Sequence, residues 1–120
     1  MNATRKVLCV DDEPINLLIL KKILGTEYLV YTAENALLGL EILNQEPDLK
    51  FVITDMRMPG MDGLEFIGEA SKRFKDKRFF MLSGFEIDEK IQAALDSGLI
   101  SQYFMKPANF DEIHRALQER

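Results

Sequence analysis

Phe51-Val52-Ile53-Thr54-Asp55, running straight into Met56-Arg57-Met58-Pro59-Gly60-Met61-Asp62-Gly63, is the stretch from which the architecture can be read. An apolar, β-branched run meets a lone carboxylate, and Pro59, Gly60 and Gly63 then break the chain into a turn-rich loop. A short β-branched run closed by turn signals reads as a buried strand. Asp55 therefore falls at the carboxyl end of that strand, where open α/β sheets place their ligand crevice. Aspartate is also an ordinary turn and cap residue, and Asp62-Gly63 suits that role at the start of the helix that follows. Asp55 does not, because the intervening loop holds it away from that helix.

Outward from this strand, apolar strand-like runs alternate with helix-like ones five times. Upstream, a strand over 6–10 ends in Asp11-Asp12-Glu13-Pro14. Pro14 suits the first turn of a helix, and Leu17, Leu20, Ile23 and Leu24 recur at helical spacing until Gly25 stops it. A second short strand over 28–31 precedes a helix capped by Asn35, with Ala36, Leu40 and Leu43 as its apolar stripe. Downstream, Leu64, Ile67, Ser71 and Phe74 predict a helical face. The strand over 78–82 ends in Ser83-Gly84. Ile87, Ile91, Ala94 and Leu95 predict a fourth helix closed by Gly98. Residues 102–105 form a fifth strand ending in Lys106-Pro107, and Asn109 caps a last helix with Phe110, Ile113 and Leu117 inward. Five strand–helix units with continuous apolar strands imply a parallel sheet covered by helices on both faces, with right-handed crossovers. No repeat, low-complexity tract or linker interrupts them, so the chain reads as one α/β domain over 1–120.

Bulk properties bound the function. At 120 residues the chain can bury roughly two-thirds of its unfolded surface, and its 47% hydrophobic and 29% charged residues are those of an ordinary globule. No apolar run approaches the ~20 residues that span a membrane, and the N-terminus, with Arg5-Lys6, lacks the apolar segment of a secretory signal. The single cysteine, Cys9, lies in an apolar run and reads as a small buried hydrophobe rather than a disulfide or zinc ligand; a cytoplasmic protein is expected. Net charge is −5. The one dense basic cluster, Lys72-Arg73 with Lys75, Lys77 and Arg78, sits at a helix-to-strand connection and reads as a solvated edge. Direct nucleic-acid binding is disfavoured, because it rests on clustered Lys and Arg.

The residues that follow the strands carry the chemistry: Asp11 and Asp12, then Asp55, then Ser83, then Lys106 and Pro107. In a parallel sheet these ends share one edge, so three carboxylates, a hydroxyl and an ammonium converge on one crevice. Three carboxylates stay ionised side by side only with a cation among them, and Mg2+ takes one or two carboxylates while keeping several waters. A hydroxyl and an ammonium opposite the metal suit a phosphoryl group, and the central carboxylate can act as nucleophile and become an aspartyl phosphate. Singly, each of these residues also has a plainer reading: an acidic first helical turn, a turn serine, a loop lysine held extended by the proline after it. Their common placement is what points to chemistry.

These motifs, Val10-Asp11-Asp12-Glu13-Pro14, Asp55 with 58–63, Ser83-Gly84 and Tyr103-Phe104-Met105-Lys106-Pro107, resemble the receiver domain of bacterial two-component response regulators over essentially the whole chain. The resemblance implies a flavodoxin-like (βα)5 doubly wound sheet in the order 2-1-3-4-5, as in the chemotaxis-regulator-like fold. It implies Asp55 as phosphoacceptor from a phosphohistidine on a sensor histidine kinase or histidine phosphotransfer protein. Mg2+ would be bound by Asp12 and Asp55, with Asp11 directly or through water and the Arg57 backbone carbonyl as a further ligand. Ser83 would hydrogen-bond the phosphoryl oxygens and Lys106 would ion-pair with them. Tyr103 stands where the family has its switch aromatic, which turns inward as the Ser83 position moves. That movement remodels the face of the fourth helix, fifth strand and fifth helix to control a downstream protein or output domain, or to form a dimer.

Two features depart from the family's commonest pattern or flank its crevice. Gly84 stands where many receivers have alanine. Arg57 and Phe85, each two residues past an active-site position, are expected to govern how water reaches the acyl phosphate. His114, the one histidine, reads as an exposed helical residue, which excludes a histidine kinase. The competing enzyme reading is a Mg2+-dependent phosphatase of the haloacid-dehalogenase type with an Asp nucleophile. That class places an Asp-x-Asp motif after strand one, whereas here the acids are adjacent and the central Asp follows strand three. A flavodoxin-like cofactor carrier would need a Ser/Thr/Gly-rich phosphate loop where Asp11-Asp12-Glu13 would repel the ligand.

Overall fold

The computed structural model describes residues 5–118. The first four residues of the N-terminus, and the last two of the helix and domain as read from sequence, lie outside the described residues. The elements are β1 (Arg5–Val10), α1 (Pro14–Leu24), β2 (Tyr28–Ala33), α2 (Ala36–Gln45), β3 (Phe51–Thr54), α3 (Gly63–Arg73), β4 (Arg78–Ser83), α4 (Glu89–Asp96), β5 (Gln102–Met105) and α5 (Phe110–Gln118). The strands form one sheet in the order β2-β1-β3-β4-β5, parallel at every pairing. This is the doubly wound order expected from the resemblance.

Alternation along the strands explains why both faces are buried. Val7, Cys9, Phe51, Ile53, Phe80, Leu82 and Phe104 meet α1 and α5 through Leu17, Leu20, Leu24, Ile113 and Leu117. Leu8, Val10, Val52, Phe79 and Met81 meet α2, α3 and α4 through Leu40, Leu43, Phe66, Ile67, Ile91 and Ala94. With helices on both sides, odd and even positions alike must be apolar, which is why the strands read as continuous runs. Cys9 is fully buried in this core, as expected, and burial pushes its thiol up to about 12.

Several local expectations shift. The second strand continues to Ala33, two residues beyond the predicted span. On α3 the buried residues are Gly63, Phe66, Ile67 and Ala70, whereas Leu64 and Ser71 are only partly covered. Phe74 has left the helix and stands in extended backbone as its C-cap. Ile87 is exposed and lies outside α4, because Asp88 caps that helix by accepting the Ile91 N–H at 2.8 Å. The α4 C-cap is Ser97, and Gly98 follows it with φ +83°, a left-handed turn that favours glycine. His114 is half-buried rather than exposed, with ring centroids 6.2 Å from Tyr28 and 5.7 Å from Phe110. Nor is the basic cluster simply solvated. Lys77 is partly covered and donates to the carbonyls of Pro47 and Leu49, and Arg73 pairs with Glu69 one helical turn away.

Candidate active site

The sheet's hydrogen-bond ladder continues one step past the strands and fixes the backbone of the residues that matter. The Asp11 N–H donates to Ala33 O at 3.1 Å, Asp55 N–H to Val10 O at 2.9 Å, and Lys106 N–H to Ser83 O at 2.8 Å. Three main-chain positions from three loops are thereby locked at one edge while their side chains project from it. Asp11, Asp55 and Ser83 are buried, and Asp12 is exposed beside them.

One ammonium serves two carboxylates. Lys106 Nζ lies 3.2 Å from Asp11 Oδ2 and 3.3 Å from Asp55 Oδ2. Asp11 also accepts the Glu13 N–H at 3.0 Å on Oδ1 and Asn16 Nδ2 at 3.2 Å on Oδ2. Asp55 accepts the Met56 N–H at 2.8 Å on Oδ1. The Asp55 carboxyl is nevertheless held above its usual range, first by burial and then by the Asp11 charge, which together outweigh Lys106 and the Met56 N–H. Burial alone would pull the Lys106 ammonium down, but Asp11 and Asp55 push it up. Ligand oxygens of Asp11, Asp12 and Asp55 lie within 4.8 Å of one another. A site where acids outnumber the ammonium, and where the central acid resists ionisation, fits a hard divalent cation.

Two residues that the sequence reading did not assign to the site belong to it. Gly63 reads in sequence as a turn and cap element, yet a Cβ there would stand 2.1 Å from the Asp55 carbonyl oxygen and 2.9 Å from Met56 Cα. Its N–H donates to Met56 O at 2.7 Å, and the Asp62/Glu65 capping box fixes the helix start above it. The signal was available: Asp62 alone suffices as a cap, so a poor helix former at the first helical position called for a packing reason. Asn16 bridges Asp11 and Glu13 from α1. It sits just before the buried stripe of that helix, facing the acids.

The remaining predicted residues fall around the same crevice. The Ser83 hydroxyl accepts the Phe85 N–H at 3.3 Å, and the Lys106–Pro107 peptide is cis. Arg57 lines a surface depression together with Asp12, Met56, Met58, Pro59 and Asp62. Its guanidinium lies 4.1 Å from the centroid of the Phe85 ring. Tyr103 is half-buried, packs against the core and donates its hydroxyl to the Phe85 carbonyl.

The chain is similar to known proteins over most of its length. Sporulation initiation phosphotransferase F of Bacillus subtilis is 32% identical over 116 residues, covering 95% of this chain and 91% of that protein. The uncharacterized transcriptional regulatory protein YesN, also of Bacillus subtilis, is 37% identical over 119 residues. That match covers 95% of this chain, which spans only 32% of YesN. Among solved structures, the response regulator TrrA of Thermotoga maritima in complex with Mg(2+)-BeF superposes with a TM-score of 0.78 at 32% identity, covering 95% of this chain and 96% of that one. The family model of the response regulator receiver domain matches residues 7–118. With the strand order, the edge-locked acids and these likenesses in agreement, the chain belongs to the response regulator receiver domain family.

Proposed function

We propose that this chain is the phosphoacceptor of a two-component phosphorelay. The phosphoryl group comes from a phosphohistidine on a sensor histidine kinase or a histidine phosphotransfer protein, and it is accepted on Asp55. The observation that carries this reading is the placement of Asp55: buried at the end of β3, beside Asp11 and against the Lys106 ammonium. An Asp55 oxygen forms the bond to phosphorus as the phosphorus–nitrogen bond of the donor breaks, and the imidazole leaves with that electron pair. Lys106 faces the charge that the new phosphoryl oxygens bring, and the Ser83 hydroxyl is free to rotate its proton toward them. Asp12 and Asp55, with Asp11 directly or through water and the Arg57 backbone carbonyl, would hold Mg2+. When bound, that ion supplies charge neutralisation for a phosphoryl group arriving among carboxylates. The TrrA complex with Mg(2+)-BeF supports this ligand class for the fold.

The reading extends to output. New contacts to Ser83 would bias the position of Tyr103 and with it the face of α4, β5 and α5, which controls a partner or output domain or pairs two copies. The domain comprises 1–120 and works in the cytoplasm. No helix among the described residues is long and apolar enough to cross a membrane. The activity is signalling, with phosphorylation and dephosphorylation at Asp55 supported by the domain itself. Arg57 and Phe85 set part of the phosphoryl lifetime. Arg57→Ala and Phe85→Ala should each change the decay rate, and two unchanged rates would remove that role.

The test is intact mass after incubation with Mg2+ and acetyl phosphate. Wild type should gain one phosphoryl group, and Asp55→Asn or added chelator should abolish the gain. Equal gain by wild type and Asp55→Asn would overturn the assignment.

A further inference from the structure

Asp11 is a buried carboxylate whose acceptor capacity is almost fully used, and one of its partners comes from α1. A carboxylate offers about four lone-pair positions, two on each oxygen. On Oδ1 one position is taken by the Glu13 N–H at 3.0 Å. On Oδ2 both are taken, by Lys106 Nζ at 3.2 Å and by Asn16 Nδ2 at 3.2 Å. Among the described residues nothing fills the last position, and it lies on Oδ1. Asn16 is half-buried in the first turn of α1, where its N–H donates to Glu13 O at 3.1 Å and the next residue, Leu17, is buried in the core. Both hydrogens of its side-chain amide go to carboxylates, the second to Glu13 Oε1 at 3.0 Å. A flipped amide would turn its carbonyl oxygen against two acceptors, so the chemistry of the partners fixes the orientation.

We infer that Asn16 is a positioning residue for the cation site: with Lys106 it closes Oδ2 of Asp11, so that Asp11 meets the ion, or a water the ion carries, through Oδ1. The inference rests on the reading of Asp11, Asp12 and Asp55 as the Mg2+ ligands. Without the amide, Lys106 is the one donor left on Oδ2, and the same ammonium is drawn to Asp55 Oδ2 at 3.3 Å. Nothing from α1 would then hold the plane of the Asp11 carboxylate, and its two oxygens would exchange places before the ion. Partners that orient a metal ligand from outside the coordination shell typically set metal affinity by 10–100-fold. Asn16 suits that task because it stands on a helix packed into the core and not on a loop. It touches neither the ion nor the reacting atoms in this scheme, and acts through Asp11.

The test follows backbone and side-chain amide resonances while MgCl2 is titrated into wild type, Asn16→Leu and Asn16→Ala. Leucine keeps the branched shape without a donor, and alanine removes the donor without adding apolar bulk. In wild type both Asn16 Nδ2 protons should lie downfield of a solvated side-chain amide and stay there at saturating Mg2+. In both variants the Mg2+ dissociation constant, fitted from the Asp12 and Met56 N–H resonances, should rise about tenfold. Phosphoryl gain from acetyl phosphate should fall most in the variants where Mg2+ is scarce and recover as Mg2+ approaches saturation.

An equal dissociation constant in wild type and the variants overturns the role of Asn16, as does a uniform loss of rate at every Mg2+ concentration. Return of the Asn16 protons to solvated positions as Mg2+ binds would put the ion on Oδ2 and overturn the assignment of Oδ1. A wild type whose resonances ignore Mg2+ overturns the reading of the acids as ligands, and the role of Asn16 with it. That outcome is distinct from normal Mg2+ binding that is indifferent to Asn16.

Discussion

The two edges of the sheet carry comparable densities of charge and treat it oppositely. At the amino edge, Lys6 sits 2.8 Å from Glu46 and 2.9 Å from Asp48. Glu46 also accepts the Tyr31 hydroxyl, and Arg5 donates to Leu117 O. Side-chain hydrogen bonds hold Lys6 above its usual range and Glu46 and Asp48 below theirs, so each of these groups is drawn toward its charged form. At the carboxyl edge one ammonium stands among three carboxylates, and Asp55 is pushed toward its neutral form. The Lys6, Glu46 and Asp48 cluster is mutually satisfied, whereas the carboxyl edge is left short of positive charge. Structural charges converge on satisfaction, whereas the site proposed to receive a cation and then a phosphoryl group would have to leave a deficit for them.

The sharpest way to break this contrast is Asp55→Asn. It should abolish phosphoryl gain entirely, and without Mg2+ at neutral pH it should raise Tm, because Asp55 is held toward its neutral form by burial and the Asp11 charge. The sign follows from linkage. A carboxyl whose folded pKa is raised destabilises the fold while ionised, and the cost disappears as pH falls through that raised value. The stabilisation by Asp55→Asn should therefore be largest at neutral pH and vanish in acid. Glu46 and Asp48, with depressed values, contribute stability that persists until pH falls below the ordinary carboxylate range. Thermal melts of both proteins across pH test the two edges together.

Gly63→Ala attacks the same edge through sterics. A Cβ 2.1 Å from the Asp55 carbonyl oxygen forces the backbone at Asp55 to move. A loss of about 1–3 kcal/mol is expected by urea unfolding, together with slower phosphoryl gain from the displaced Asp55. Lys106→Gln removes the shared counter-charge. It should cost about 1–2 kcal/mol without Mg2+, discounted from a fully buried pair because the side chain is partly exposed. Added Mg2+ should recover more stability in this variant than in wild type. The smallest effect belongs to Lys6→Gln in the satisfied cluster: phosphoryl gain unchanged and the least Tm shift of the set, shrinking further in high salt.

Much of this was legible in the chain because the informative signals were local. Apolar runs followed by Asp11, Asp55, Ser83 and Lys106 mark strand ends, and a parallel sheet brings such ends to one edge whatever their separation in sequence. The buried face of α3 differs from the one its large apolar residues predict, for a physical reason. Its buried positions include Gly63 and Ala70, which are weak hydrophobic markers, while Leu64 and Phe74 are large apolar residues at or beyond the margin of that face. Ile87 fits the helical spacing of α4, but the Asp88 cap starts that helix after it. The approach of Gly63 to Asp55 and the meeting of Arg57, Phe85 and Tyr103 join residues from different loops and strands. Only the packed fold brings those together.

The most direct test of the central claim is to locate the phosphoryl group. Protein loaded with acetyl phosphate and Mg2+ is reduced with borohydride, which converts an aspartyl phosphate to homoserine, and the peptides are then sequenced by mass spectrometry. The account predicts homoserine at position 55 and unmodified aspartate at positions 11 and 12. Homoserine at 11 or 12, or loading with residue 55 unmodified, would contradict it.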